Sequence, residues 1–299
     1  MDQEGLWAIE LLMLYEKKNI EEIKKRLFNS SDLLIYLHEV LAEKKIKLQD
    51  KDIYSEQLII KLHLQNLSLI KLSDGHSVES RFFSKNFPEI KFLDLSSIIT
   101  IVRSQYESLL MYQHLYINSK IDDEKKLRFE SWIMSSMMLR AKVFANSKAL
   151  DEKTLENEKN TIEELKKSIS NNEIFKTLSD KQQKSLLENG SGKLFKSWDT
   201  LFAESRFAPE GVFSKLYYIA SVYAHSEGSL ALQLKMTKHL KEHPFMKENL
   251  FLMLFYSYLM TNIMIKNIVN KFPDVAERYK DIDEKTKYEV DFSYELSFK

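Results

Sequence analysis

Six glycines and four prolines are spread over 299 residues. That scarcity constrains the fold more than any other feature. Sheets need turn residues after every strand or two, and this chain cannot supply them. Long stretches rich in Leu, Lys, Glu, Met and Ser carry no breaker and favour helix. The expected class is therefore all-α, a multi-helix bundle with a charged helical hairpin and a short C-terminal extension. Any sheet is expected as a short pairing of the tail near residues 287–297.

Apolar spacing marks the helices. They are expected over 3–17, over one or two segments between 19 and 46, and over 54–72. A long helix is expected over 95–118, with an antiparallel partner over 123–147. A shorter helix is expected over 193–205, a long segment over 210–242, and a further helix over 247–271. Residues 73–93 are the least regular and read as a connector packed through its Phe residues. The organisation expected is an N-terminal region 1–93, a main bundle 94–283 with a charged insertion at about 150–192, and a tail 284–299. The most apolar run, "LFLMLFYSYLMTNIMI" at 250–265, is shorter than the ~20 residues of a membrane span and includes Ser, Thr and Asn. It reads as the central core helix, and no membrane span is expected.

Lys plus Arg equal Asp plus Glu at 44 each, so no global basic excess points to nucleic acid. Cysteine is absent, which excludes disulfides and thiolate metal sites and fits a reducing compartment. The N-terminal "MDQEGLWAIELL" places two acids where a secretory signal carries positive charge. Cytoplasmic localisation is the expectation. No cofactor is indicated; the partner is open, with a homodimer among the possibilities.

Two short motifs suggest chemistry. "NGSGKLF" at 189–195 fails as a phosphate-binding loop, because Leu187 and Leu194 stand where Gly and Ser/Thr are needed. It reads as a helix C-cap followed by a new helix. "HLKEH" at 239–243 matches a His-x-x-Glu-His zinc pattern. Pro244 follows at once and pushes His243 out of helical geometry, so no metal is expected there.

A third set is spread over three helices. Arg103, Glu107 and His114 fall within about 40° of one another on a helical wheel. An arginine is notable on such a face, because lysine is the default cation of this chain. Arg140 lies in the following helix. Ser214, Tyr218, Ser221, His225 and Ser229 form a further stripe, and the apolar setting of "YYIASVYAH" predicts a buried His225 bonded to one of the two preceding long helices. The candidate catalytic residues are Glu107 and His225. The candidate binding residues are Arg103, Arg140, His114 and Ser221.

This order, with Arg-x-x-x-Glu on a long helix, then a helix with Trp and Arg, then Ser-x-x-x-His at "YAHSEG", resembles a group of bacterial all-helical proteins compared with the HEPN superfamily. The resemblance covers about residues 95–235. It implies a helical scaffold related to RNA-cleaving toxins and phage-defence proteins. The superfamily's own signature, Arg followed after four to six residues by His, is absent. Two functions stand at this point. One is a binding or scaffold module held together by a buried Arg/Glu/His cluster. The other is a helical hydrolase or HEPN-like nuclease, in a defence or nucleic-acid-processing system, using Glu107 and His225 with Arg103 and Arg140.

Overall fold

The structure is a computed structural model that describes residues 3–43, 50–78, 87–144, 152–205, 212–224 and 228–296. Its elements in chain order are α1 Gln3–Lys17, α2 Ile20–Glu43, α3 Asp50–Ser73, β1 His76–Val78, β2 Phe87–Phe92, α4 Leu95–Tyr116, α5 Asp122–Phe144, α6 Glu152–Ser170, α7 Glu173–Lys176, α8 Asp180–Asn189, α9 Trp198–Glu204, α10 Val212–Ala224, α11 Gly228–Thr237, α12 Pro244–Lys271, α13 Pro273–Tyr279 and α14 Glu284–Leu296. The protein is an all-α multi-helix bundle. Two compact units divide it: residues 1–110 with 206–299, and residues 111–205.

The first unit is built around α12. Pro244 occupies its first turn, and the His243 Nδ1 accepts a hydrogen bond from the Phe245 N–H at 3.2 Å. Proline is favoured there because its missing N–H has no helical partner anyway. The helix is long and apolar enough to cross a membrane by length and composition, but most of it is buried inside the protein. Leu250, Leu254, Met260, Ile263, Met264 and Ile265 are fully buried, and α2, α3, α13 and α14 pack around it. A helix apolar on every side needs such a jacket.

Several polar side chains inside this apolar core pair with one another. The Asn66 Nδ2 donates to Ser31 Oγ at 3.1 Å and to Thr261 Oγ1 at 2.9 Å. The Gln105 Nε2 donates to Asn66 Oδ1 at 2.7 Å, and Ser257 Oγ donates to Gln105 Oε1 at 2.6 Å. One network thus joins α2, α3, α4 and α12. Leaving a buried amide unmet is costly, so the mutual satisfaction of these side chains fixes the register of four helices.

The sheet does not lie in the tail. Residues 284–296 form α14, capped where Asp283 Oδ1 accepts from the Thr286 N–H at 3.0 Å. Tyr288 and Phe292, four residues apart, stack with ring centroids 6.0 Å apart, and Trp7 of α1 lies 5.5 Å from Tyr288. The alternation over 287–297 therefore conceals a helical face. The strands lie instead in the connector: β1 and β2 pair antiparallel, with His76 opposite Phe92. Residues 239–241 extend the pairing, since the Leu93 N–H donates to His239 O at 2.8 Å and the Lys241 N–H to Lys91 O at 2.9 Å. The expected long segment 210–242 is accordingly two helices, and the left-handed Lys238 and His239 (φ 50° and 57°) end the second.

In the second unit α6 packs on α5. Leu127 and Met134 of α5 meet Ile162 and Ile169 of α6, with Phe175 and Leu186 completing the core. The weak apolar stripe of the charged insertion is thus one wall of a core. Asn172 caps α7 by accepting from the Ile174 and Phe175 N–H groups, while its Nδ2 donates to Asp123 O at 2.8 Å. Gly190 ends α8 with φ 73°. The helix expected from residue 193 begins only at Trp198, because Leu194 and Phe195 adopt left-handed backbone.

Candidate functional site

Within the first unit, α4 presents Arg103 and Glu107 one turn apart. The Arg103 Nε donates to Glu107 Oε1 at 3.1 Å, and its Nη2 donates to Tyr217 Oη at 3.3 Å. The Tyr217 hydroxyl donates in turn to the same Glu107 oxygen at 3.4 Å. The guanidinium also lies over the Tyr217 ring, 5.1 Å from its centroid, and Tyr106 flanks that ring at 5.7 Å. Burial, countered by Arg103 and reinforced by the Glu107 carboxylate, holds the Tyr217 phenol above its usual pKa. Tyr217 is therefore a neutral donor, and the three groups close on one another. The side chains of Arg103 and Glu107 keep 20% and 30% exposure, so the cluster borders solvent. It ties α10 to α4.

The other candidates have partners elsewhere. Ser221 donates to Tyr217 O at 2.8 Å, a bond back to its own helix. Arg140 pairs with Glu158 of α6 at 3.1 Å. His225 lies outside the described residues. His114 shares the stripe of Arg103 and Glu107, but its partners belong to the second unit.

There His114 is fully buried, and neither ring nitrogen has a hydrogen-bond partner. Its Nδ1 stands 3.9 Å from Glu204 Oε2. Arg128, also buried, donates from Nη1 to the His114 carbonyl at 2.8 Å and from Nη2 to Glu124 Oε1 at 2.5 Å. Lys196 binds Glu204 at 2.6 Å, and Ser119 donates to Glu124 at 2.6 Å. Burial above all, then the charges of Arg128 and Lys196, push the His114 pKa down to about 3. It is a neutral imidazole at physiological pH.

Arg128, Glu204 and Tyr217 are not among the residues that sequence patterns single out. Glu124 and Arg128 repeat the i, i+4 carboxylate–guanidinium spacing that marks Arg103 and Glu107, and that signal points to them. Glu204 and Tyr217 enter through tertiary contacts that leave no local trace.

Among the described residues no group of three or more histidines and carboxylates could hold a metal ion. "HLKEH" is not helical: His239 sits in left-handed backbone, Leu240 is in a β-bridge, and His243 caps α12. The i, i+4 face that would let two histidines share an ion is not formed.

Beside the Arg103 cluster, an open groove of about 1010 Å³ runs along α3 and α4. Leu64, Leu67, Leu72, Ile101 and Tyr223 supply its apolar lining, with Lys71 at one edge. Leu64 and Leu67 are exposed. No protein-family model, no curated protein and no solved structure matches this chain, so the geometry of these sites is the ground for a functional reading.

Proposed function

We propose that this protein is a binding module and that the groove along α3 and α4 is its recognition surface. One observation carries the reading: leucines of α3 are left exposed along a concave wall instead of facing the core. Concave apolar surface with a few polar groups at its edge is what ligand sites present. The Lys71 ammonium forms no ion pair among the described residues. An elongated amphiphile with an anionic head fits this chemistry, its chain on the leucines and its head at Lys71. The Arg103–Glu107–Tyr217 cluster then serves as a brace. It fixes α10, which contributes Tyr223 to the groove.

The test is a titration with a fluorescent fatty-acid analogue. Saturable binding is expected near one molecule per chain. Leu67→Glu, which sets a carboxylate among the leucines, is expected to remove it while the helical circular-dichroism spectrum is kept. Absence of binding to the parent protein refutes the reading. So does RNA cleavage or ester hydrolysis that disappears in Glu107→Gln and His225→Ala, the outcome that the alternative of a helical hydrolase or HEPN-like nuclease implies.

A further inference from the structure

The outward faces of α10 and α11 are apolar where a surface helix is ordinarily polar. Tyr218 and Ile219 of α10 are 73% and 38% exposed, and Leu232 and Met236 of α11 are 65% and 79% exposed. Leu232 and Met236 stand one helical turn apart and so share a face. The inner sides of both helices are already committed. Leu216, Ala220 and Thr237 are buried, and the Tyr223 hydroxyl donates to Gln233 Oε1 at 2.8 Å, which ties α10 to α11. The exposed side chains are therefore a second apolar face, beyond the one the core uses. Lys215 stands one turn before Tyr218 and Ile219, Lys235 lies beside Met236, and Lys238 comes just after α11.

Charge says what covers this face. Positive and negative residues balance over the whole chain, yet residues 212–241 hold Lys215, Lys235, Lys238 and Lys241 against one acid, Glu227. Lys241 is engaged by the Asp74 carbonyl. Lys215, Lys235 and Lys238 are exposed and form no ion pair among the described residues. Helix α1 makes the contrast. It also exposes Leu6, Ile9, Leu12 and Met13, but it carries Glu4, Glu10 and Glu16 against Lys17, a balance that an anionic surface repels. We propose that α10 and α11 dock this protein on an anionic membrane surface. Tyr218, Leu232 and Met236 enter the headgroup layer, and the three lysines meet the lipid phosphates and carboxylates. An apolar face flanked by lysines is the pattern of helices that lie in the interface. The Tyr218 ring is apolar with a polar tip, which suits that depth, and the long lysine stems let the ammonium groups reach the headgroups. Each lysine near such a surface strengthens attachment roughly fivefold, and three together roughly a hundredfold. The helices have 13 and 10 residues, short of the ~20 that a span requires, so the contact is peripheral and reversible. It does not rest on the groove reading, since none of these side chains lines the groove.

The experiment is co-sedimentation of the full chain with vesicles of phosphatidylcholine alone and of phosphatidylcholine with one-third phosphatidylserine. Binding to the mixed vesicles is expected, at least tenfold tighter than to phosphatidylcholine alone, and weaker as salt is raised. The double variant Leu232→Glu with Met236→Glu changes only exposed positions and is expected to keep the helical circular-dichroism spectrum. It is expected to lose vesicle binding at least tenfold, as is Lys215→Glu with Lys235→Glu. Leu12→Glu, on the exposed face of α1, is expected to leave binding unchanged. No sedimentation with the mixed vesicles overturns the proposal. So does binding that either double variant leaves intact, or that Leu12→Glu removes. A dimer in solution that the Leu232/Met236 double variant dissociates, with no vesicle binding, overturns it in favour of a second copy on the same face. Fatty-acid binding in the groove is expected to persist in both double variants, so the two readings fail independently.

Discussion

Gln105 of α4 donates a 2.7 Å hydrogen bond to Asn66 of α3, and both side chains are fully buried. Asn66 passes the connection to Ser31 and Thr261, and Ser257 completes it at Gln105. Each member therefore satisfies its neighbour, and removing one strands several. Asn66→Leu is expected to cost about 2–4 kcal/mol, because the polar groups left unpaired bear the full desolvation penalty. The double variant Asn66→Leu with Gln105→Leu is expected to lose less than the sum of the two single changes. Urea midpoints of the four proteins measure this; additive losses would mean that the two amides are independent.

The Arg103, Glu107 and Tyr217 triangle gives a weaker and more exposed coupling. Glu107→Gln and Tyr217→Phe are each expected to cost about 1 kcal/mol, the worth of a partly solvated hydrogen bond. Their effects are expected to be non-additive, since both bonds end on the same Glu107 oxygen. Thermal melts of the two single variants and the double variant provide the check. A cost near zero for Tyr217→Phe would show that the ring stacking, not the hydroxyl, holds α10.

The helical class was legible because breaker residues are counted, not inferred, and because α12 is apolar on all faces. Spacing places the start of that helix at residue 247, whereas Pro244 itself occupies its first turn. The strands were not legible. β1 has three residues, and the pairing is completed by residues 239–241, about 150 positions away, so no local period records it. The tail misled for a different reason. Tyr288, Val290, Phe292 and Tyr294 alternate, but Tyr288 and Phe292 also stand one helical turn apart, and packing against Trp7 favours the helical period. The site shows the same division. Arg103 and Glu107 were visible as a local spacing. Tyr217 is 110 residues from Glu107, and His114 left their cluster because its imidazole lies beside the second unit's Glu204 and its carbonyl accepts from Arg128.

Gly190 supplies a backbone prediction. Its φ of 73° is left-handed, and a Cβ there would lie 2.9 Å from the Ser135 Cα. Gly190→Ala therefore meets both torsional strain and a clash with main chain that cannot swing away. A loss of about 1–3 kcal/mol is expected, read as a lower melting temperature. Gly228 is a control, since a Cβ there meets nothing within 4 Å. Gly228→Ala is expected to be neutral or slightly stabilising.

His114 makes stability depend on pH. Its folded pKa is lowered to about 3 from a reference of 6.5, chiefly by burial. The unfolded chain therefore binds a proton that the folded chain refuses. The stabilisation is complete above about pH 6.5 and is progressively lost as the pH falls toward 3. The slope contributed is at most about 1.4 kcal/mol per pH unit within that window. Glu124, whose own pKa is lowered by hydrogen bonds from Ser119 and Arg128 against the opposing effect of burial, adds to the loss at the acid end. His114→Leu removes the titrating ring and keeps an apolar side chain in the cavity. Urea midpoints at pH 7.5, 6.0 and 5.0 are expected to fall less steeply in His114→Leu than in the parent. The carboxylates are common to the two proteins, so the difference between their slopes reports the imidazole. Equal slopes in the two proteins would mean that His114 takes up its proton in the folded state, with Glu204 close enough to hold it.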